Sequence, residues 1–127
     1  GRTVAVLGYG LNKIPSDNQL LLEEVVESGG VVMTEFPPNY EGGKRTFPAR
    51  NRIIAGLSRG VIVVEAGEKS GALIAAKYAA DNSRDVFAVP NDIFSEKSFG
   101  CHKLIHGGAI LLDNVNEVFR RYVDDDE

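Results

Sequence analysis

Apolar residues follow two recurring patterns along the chain: short unbroken runs, and longer stretches in which they return every third or fourth position. The runs read as buried strands and the spaced stretches as helices with one covered face. Thr3–Leu7 is the first run, and Gly8-Tyr9-Gly10 turns the chain at its end. The spacing predicts a helix over Leu20–Val26, in which Leu20, Leu21 and Val25, with Leu22 and Val26, form a broad apolar face. Ser16, Asp17 or Asn18 is placed to cap that helix, and Gly29-Gly30 to stop it. Val31–Met33 is a second strand, and residues 37–43 have loop composition. A short helix is expected over Arg50–Leu57, a strand over Val61–Val64, and a small-residue helix over Ala72–Ala80. Val86–Val89 reads as a fourth strand stopped by Pro90, followed by a loop to Gly100 and a short helix or turn at Cys101–His106. A last short strand, Ala109–Leu112, and an amphipathic helix, Val115–Tyr122, close the pattern.

Strands alternating with helices at this pace predict βαβ units: an α/β fold with a mostly parallel sheet and helices on both faces. The length suits one domain, 1–127, with one sizeable core. The chain opens almost directly on a strand, as a doubly wound sheet or a truncated domain would. A single cysteine, Cys101, excludes an internal disulfide and fits a reducing compartment. No apolar run approaches the length of a membrane span and no signal peptide opens the chain, so the cytoplasm is the expected location.

Charge changes this picture. The chain is acidic overall, with a formal net charge of −4. Yet between Gly42 and Val64 there is no Asp or Glu, while Lys44, Arg45, Arg50, Arg52 and Arg59 all fall there. Salt screens charge beyond about 8–10 Å, so a local basic strip works independently of the net charge. The balance argues for a selective polyanion site rather than indiscriminate coating of nucleic acid. Arg50, Asn51 and Arg52 suit forked, charge-assisted hydrogen bonds to phosphate. The arginines equally suit pairing with Glu35, Glu65 or Glu68 to fix the loop. Arg50 and Arg52 are two positions apart and diverge on a helix. Phe47, beside a proline and flanked by cations, is either core or a stacking platform for a base.

Other candidates carry less. Gly8-Tyr9-Gly10 after a strand suggests a dinucleotide fingerprint, but Lys13 takes the third glycine's place and Pro15 follows. Glycines needed only for a tight turn explain it as well. Lys69-Ser70-Gly71 opens a helix after a buried strand, which makes either an anion site of backbone amides or a plain serine cap. His102 and His106 share a helix face but no third ligand follows at metal spacing, and Cys101 beside His102 diverges from it. Glu35 and Glu65, at strand ends, are candidates for a general-base pair; solvated acids at strand ends are the bland alternative. No catalytic group, metal or cofactor is expected.

With these residues in view, the chain resembles the DNA processing protein A (DprA/Smf) family over nearly its whole length. Phe47-Pro48-x-Arg50-Asn51-Arg52-Ile53-Ile54-Ala55-Gly56-Leu57-Ser58 is similar to that family's most diagnostic motif. Val4–Leu11, Ile14-Pro15, Thr34-Glu35-x-Pro37, Val63–Ala66, Ser70–Ile74, Val86–Pro90 and Gly100–Ala109 follow in the family's order. The resemblance implies a Rossmann-like domain that binds single-stranded DNA, forms a homodimer and assists loading of the RecA recombinase in natural transformation. It implies that Arg50 and Arg52 line a phosphate pocket, with Lys44 or Arg45 on the backbone path. It further implies that Phe47 stacks on a base, that Ser70 and Gly71 present backbone amides, and that the closing helix serves self-association and the recombinase. The Gly-Ser-Arg and Ser-Gly-x-Ala-x-Gly-Ile-Asp segments that precede the first strand in the family are not found, so the chain is expected to be the later part of that domain. Its pocket would then lack one arginine, and an apolar sheet edge would be exposed. Asn91 stands where the family has glycine after Pro90. A different class is the alternative: a nucleotide or phosphoribosyl hydrolase of the lysine-decarboxylase-like group, whose Pro-Gly-Gly-x-Gly-Thr loop is replaced here by Glu65–Gly71.

Overall fold

The computed structural model describes residues 1–123 of the 127. Its backbone divides into two compact units, residues 1–57 and, among the described residues, 58–123. Among the described residues every strand pairing is parallel, so the α/β class and parallel pairing expected from the sequence are present.

The first unit is a βαβ unit followed by a helix. Strand β1 (Val4–Val6) pairs with β2 (Val31–Met33) in the register Val4↔Val31 to Val6↔Met33, and helix α1 (Ser16–Glu27) crosses between them. A 3-10 turn at Leu11–Lys13 separates the glycines after β1 from α1. Val6, Leu7, Leu22 and Ala55 are its buried apolar residues. The broad apolar face expected on α1 is therefore not covered: Leu22 is buried, but Leu20 is 73% exposed and Leu21 and Val26 are also open. The expected caps also differ. Pro15 holds the N-cap position with no side-chain bond, and Ser16, Asp17 and Asn18 lie inside the first turn. Asp17 there still complements the helix dipole. Val4 and Val31 are likewise exposed on the two strands.

Helix α2 (Thr46–Leu57) begins four residues before the expected Arg50 start. The extra turn has a local cause. The Thr46 hydroxyl accepts the Gly43 N–H at 2.8 Å and donates to the Gly43 carbonyl at 3.2 Å, closing the turn ahead of the helix. Pro48 falls in the first helical turn, where its missing N–H costs nothing.

The second unit has strands β3 (Gly60–Val63), β4 (Asp85–Ala88) and β5 (Ile110–Leu111) in the order β3-β4-β5. Helix α3 (Ala72–Asp81) and helix α4 (Phe99–His106) are the crossovers, and α5 (Asn116–Val123) follows the last strand. Its core gathers Val63, Ala66, Ala76, Ala88 and Cys101. The alanines let α3 lie close on the strands, and Gly100 lets α4 start against the loop after β3. A Cβ at Gly100 would sit 2.7 Å from the carbonyls of Ala66 and Gly67. The buried Cys101 thiol donates to the Val63 carbonyl at 3.5 Å, and burial raises its pKa, so it packs as an uncharged side chain.

Candidate nucleic-acid interface

The site in the first unit is assembled at the C-terminal ends of β1 and β2, where open parallel sheets place their ligands. Phe47 projects from the first turn of α2 and lies against the chain leaving β1. A Cβ on Gly8 would stand 2.5 Å from Phe47 Cδ1, and one on Gly42 would stand 3.0 Å from its Cζ. Two glycines thus clasp the ring, and Tyr9 meets it edge-on with centroids 6.4 Å apart. The ring nevertheless stays 42% exposed. Neither glycine has positive φ, so close approach rather than turn geometry explains Gly8 and also Gly10, whose Cβ would fall 2.0 Å from the Pro37 carbonyl. The helix that a dinucleotide fingerprint needs does not follow Gly10; the 3-10 turn does.

Arg50 and Arg52 take different partners. Arg50 is part-buried, with Nη1 donating to the Val6 carbonyl at 2.7 Å and Nε donating to Asn51 Oδ1 at 3.1 Å. Both acceptors are neutral. Its Cζ stands 6.0 Å from the Phe47 centroid. The guanidinium is therefore fixed in place while its full charge stays uncompensated by any described carboxylate, and it has further N–H donors to offer. Arg52 instead forms an ion pair with Glu35, the loop-fixing role that was the competing reading for these arginines. Lys44 and Arg45 are exposed just ahead of α2.

In the second unit, Ser70 Oγ accepts the Ala72 N–H at 3.3 Å, while the Ser70 and Gly71 carbonyls accept from Leu73 and Ile74. Those amides of α3 are engaged locally, and the serine hydroxyl keeps its own proton to donate. The Ser70 amide is not presented as the resemblance implied, because it donates to the Gly67 carbonyl at 3.2 Å. His102 Nε2 accepts the Asn91 N–H at 3.2 Å, which ties α4 to the loop after β4. Among the described residues no group of three or more His, Cys, Asp or Glu is placed to hold a metal ion. No described helix is long and apolar enough to cross a membrane.

The decisive comparison is with known families: the sequence profile of DNA recombination-mediator protein A matches residues 1–123. The chain belongs to this family. It is 49% identical over 119 residues to protein Smf of Synechocystis, covering 93% of this chain and 30% of that protein. It is 43% identical over 122 residues to DNA processing protein DprA of Streptococcus pneumoniae, covering 96% of this chain and 43% of that one. The solved structure of the Streptococcus pneumoniae DprA superposes with a TM-score of 0.85 at 45% identity, over 94% of this chain and 42% of that one. DNA processing protein A of Helicobacter pylori, which binds single-stranded DNA, superposes at 0.86 with 26% identity, over 97% and 57%. The chain thus spans less than half the length of the curated relatives named here.

The geometry around Phe47 brings in Gly8, Tyr9 and Gly42, which the residue pattern did not single out as parts of this site. Gly8-Tyr9-Gly10 stood out in the sequence, but for a nucleotide turn rather than for an aromatic clasp. The signal that separates the two readings is the distance to Phe47, and that exists only once the chain is folded.

Proposed function

We propose that this chain is the single-stranded-DNA-binding part of a DNA processing protein, and that it binds without bond chemistry. Phosphates of the strand run along Lys44, Arg45 and Arg50, with Asn51 holding the Arg50 fork in place. Phe47 stacks on one base, and Arg52, already paired with Glu35, contributes less. In the second unit Ser70 donates its hydroxyl proton to a phosphate oxygen beside the Gly71 backbone, a subsidiary contact. The observation that carries the reading is Arg50, held by neutral acceptors at the edge of a half-exposed ring. Arg52 is neutralised by Glu35, whereas Arg50 keeps its charge and further N–H donors for an anion. Family membership and the single-stranded DNA binding of the Helicobacter pylori relative support the same conclusion.

The finer parts of the proposal follow the resemblance. The protein works in the cytoplasm, in recombination and natural transformation, where it assists loading of RecA. It forms a homodimer for which α5, with Val115 just ahead of it, offers exposed apolar residues Val115, Phe119 and Val123. The test is fluorescence anisotropy with labelled oligothymidylate across a salt series. Affinity falls steeply with salt, by about 0.7 in log–log slope per phosphate neutralised. Arg50→Ala weakens it, with a melting curve to verify folding. Salt-independent affinity, or affinity unchanged in a folded Arg50→Ala, would overturn the reading.

A further inference from the structure

A second pair of aromatic rings lies in the same unit and has no part in the site described so far. Phe36 and Tyr40 stack with centroids 5.2 Å apart and planes 24° from parallel. Tyr40 rests one face on Phe36 and is 50% exposed. The loop that carries the pair is pinned. The Tyr40 amide donates to the Pro37 carbonyl at 3.0 Å, the Tyr40 carbonyl accepts from Gly10 at 2.9 Å, and the Pro38 carbonyl accepts from Asn12 at 2.8 Å. A large exposed ring on a pinned loop, backed by another ring, contributes little to a core; it is pre-organised for a planar ligand.

The three residues Gly8-Tyr9-Gly10 join this pair to the first platform. Gly8 abuts Phe47, Tyr9 touches the Phe47 ring edge, and Gly10 bonds the Tyr40 backbone. No described residue hydrogen-bonds the Tyr9 hydroxyl, and no buried polar side-chain atom lacks a partner, so that hydroxyl is open to solvent and to a ligand. The charge around the loop suits a polyanion. Its two carboxylates, Glu35 and Glu41, are each paired, with Arg52 and with Lys13 respectively. Lys44, Arg45 and Arg50, in the same unit, have no described carboxylate partner.

We propose that the Phe36–Tyr40 stack is a second base-stacking station, and that Tyr9 bridges it to Phe47 so that a single strand of DNA seats at least two bases on this unit. The inference rests on the function proposed above and adds the path and minimum length of the ligand. The chain contains no tryptophan, so its intrinsic emission comes from tyrosine, and a base stacked on Tyr40 quenches it.

The experiment titrates oligothymidylates of increasing length against wild type, Tyr40→Ala and Tyr40→Phe, with melting curves for each. Tyr40→Ala weakens binding of a long oligothymidylate roughly 5- to 150-fold, the range one stacked base supplies. It leaves the melting temperature unchanged, because the bonds pinning the loop are backbone bonds. Tyr40→Phe keeps the affinity and loses part of the quenching. A thymidine mononucleotide, too short to reach both stations, does not distinguish Tyr40→Ala from wild type. If the long strand binds a folded Tyr40→Ala as it binds wild type, while charge reversal at Lys44 and Arg45 still weakens it, the second station is wrong and the binding function stands. If wild type binds no strand of any length, both fall together.

Discussion

Two clusters in this chain combine arginine with an aromatic ring and use the charge in opposite ways. In the first unit Arg50 flanks Phe47 and is anchored by a backbone carbonyl and an amide oxygen. In the second, Arg59 lies over Tyr122 with Cζ 4.9 Å from its centroid, and Arg121 forks onto Asp85 with two bonds of 2.7 Å. Tyr122 also donates to Asp85, at 2.8 Å. The carboxylate makes the difference. With Asp85 present, donors and acceptors satisfy one another and the cluster fastens α5 to the start of β4. With none at Arg50, the geometry is fixed by neutral acceptors and the charge has no described carboxylate partner. If the function proposed above holds, neutral anchoring of a cation, more than its mere presence, marks the binding cluster off from the structural one.

The sharpest way to break this contrast is to invert the charge of the first cluster. Lys44→Glu with Arg45→Glu should lower affinity for oligothymidylate at least about 30-fold at low salt and flatten the log–log salt slope by about 1.4, measured by anisotropy. Next in size, Phe47→Ala should cost about 1–3 kcal/mol of binding while leaving the salt slope alone, since stacking releases no counterions. Gly8→Ala should act in the same direction by displacing the ring it would touch.

In the second cluster, Asp85→Asn should leave DNA affinity unchanged and cost about 1 kcal/mol of stability at neutral pH. The figure is small because Arg121 is half exposed and solvent screens the pair. Hydrogen bonds from Arg121 hold the Asp85 carboxyl below its usual 3.8; partial burial opposes this, and Tyr122 adds to the lowering. A carboxyl lowered on folding stabilises the protein above its unfolded value and loses that contribution as pH falls through the folded value. Wild type should therefore lose this increment below about pH 4, and Asp85→Asn should not, as acid melts followed by circular dichroism would reveal. The smallest effect is expected from Glu35→Gln. Releasing Arg52 from its partner should raise affinity about twofold and steepen the salt slope slightly.

Strands and helices were legible because each has its own period, and the small-residue helix over α3 lies almost where the spacing put it. Misplaced features depended on particular side-chain contacts that periodicity does not encode. The start of α2 rests on the Thr46 hydroxyl folding back on Gly43, in a stretch that also reads as loop. The exposure of Leu20 and Leu21 depends on what packs against α1, which periodicity does not contain. The basic window was visible as composition. Which arginine a carboxylate would neutralise was not, because Glu35 and Arg52 meet only after β2 and α2 are in place. Likewise, nothing in the spacing of Phe36 and Tyr40 announces a stacked pair.

The hydrogen on Gly10 has a consequence for how this sequence tolerates change. Any larger substituent there meets the Pro37 carbonyl, a backbone atom that cannot rotate aside. Gly43 and Gly56 have open space around the position of a Cβ, and at Gly56, within α2, alanine should stabilise by about 0.5–1 kcal/mol. A saturation library selected for folded protein would return glycine at 10 almost alone and a wide spread of residues at 43 and 56.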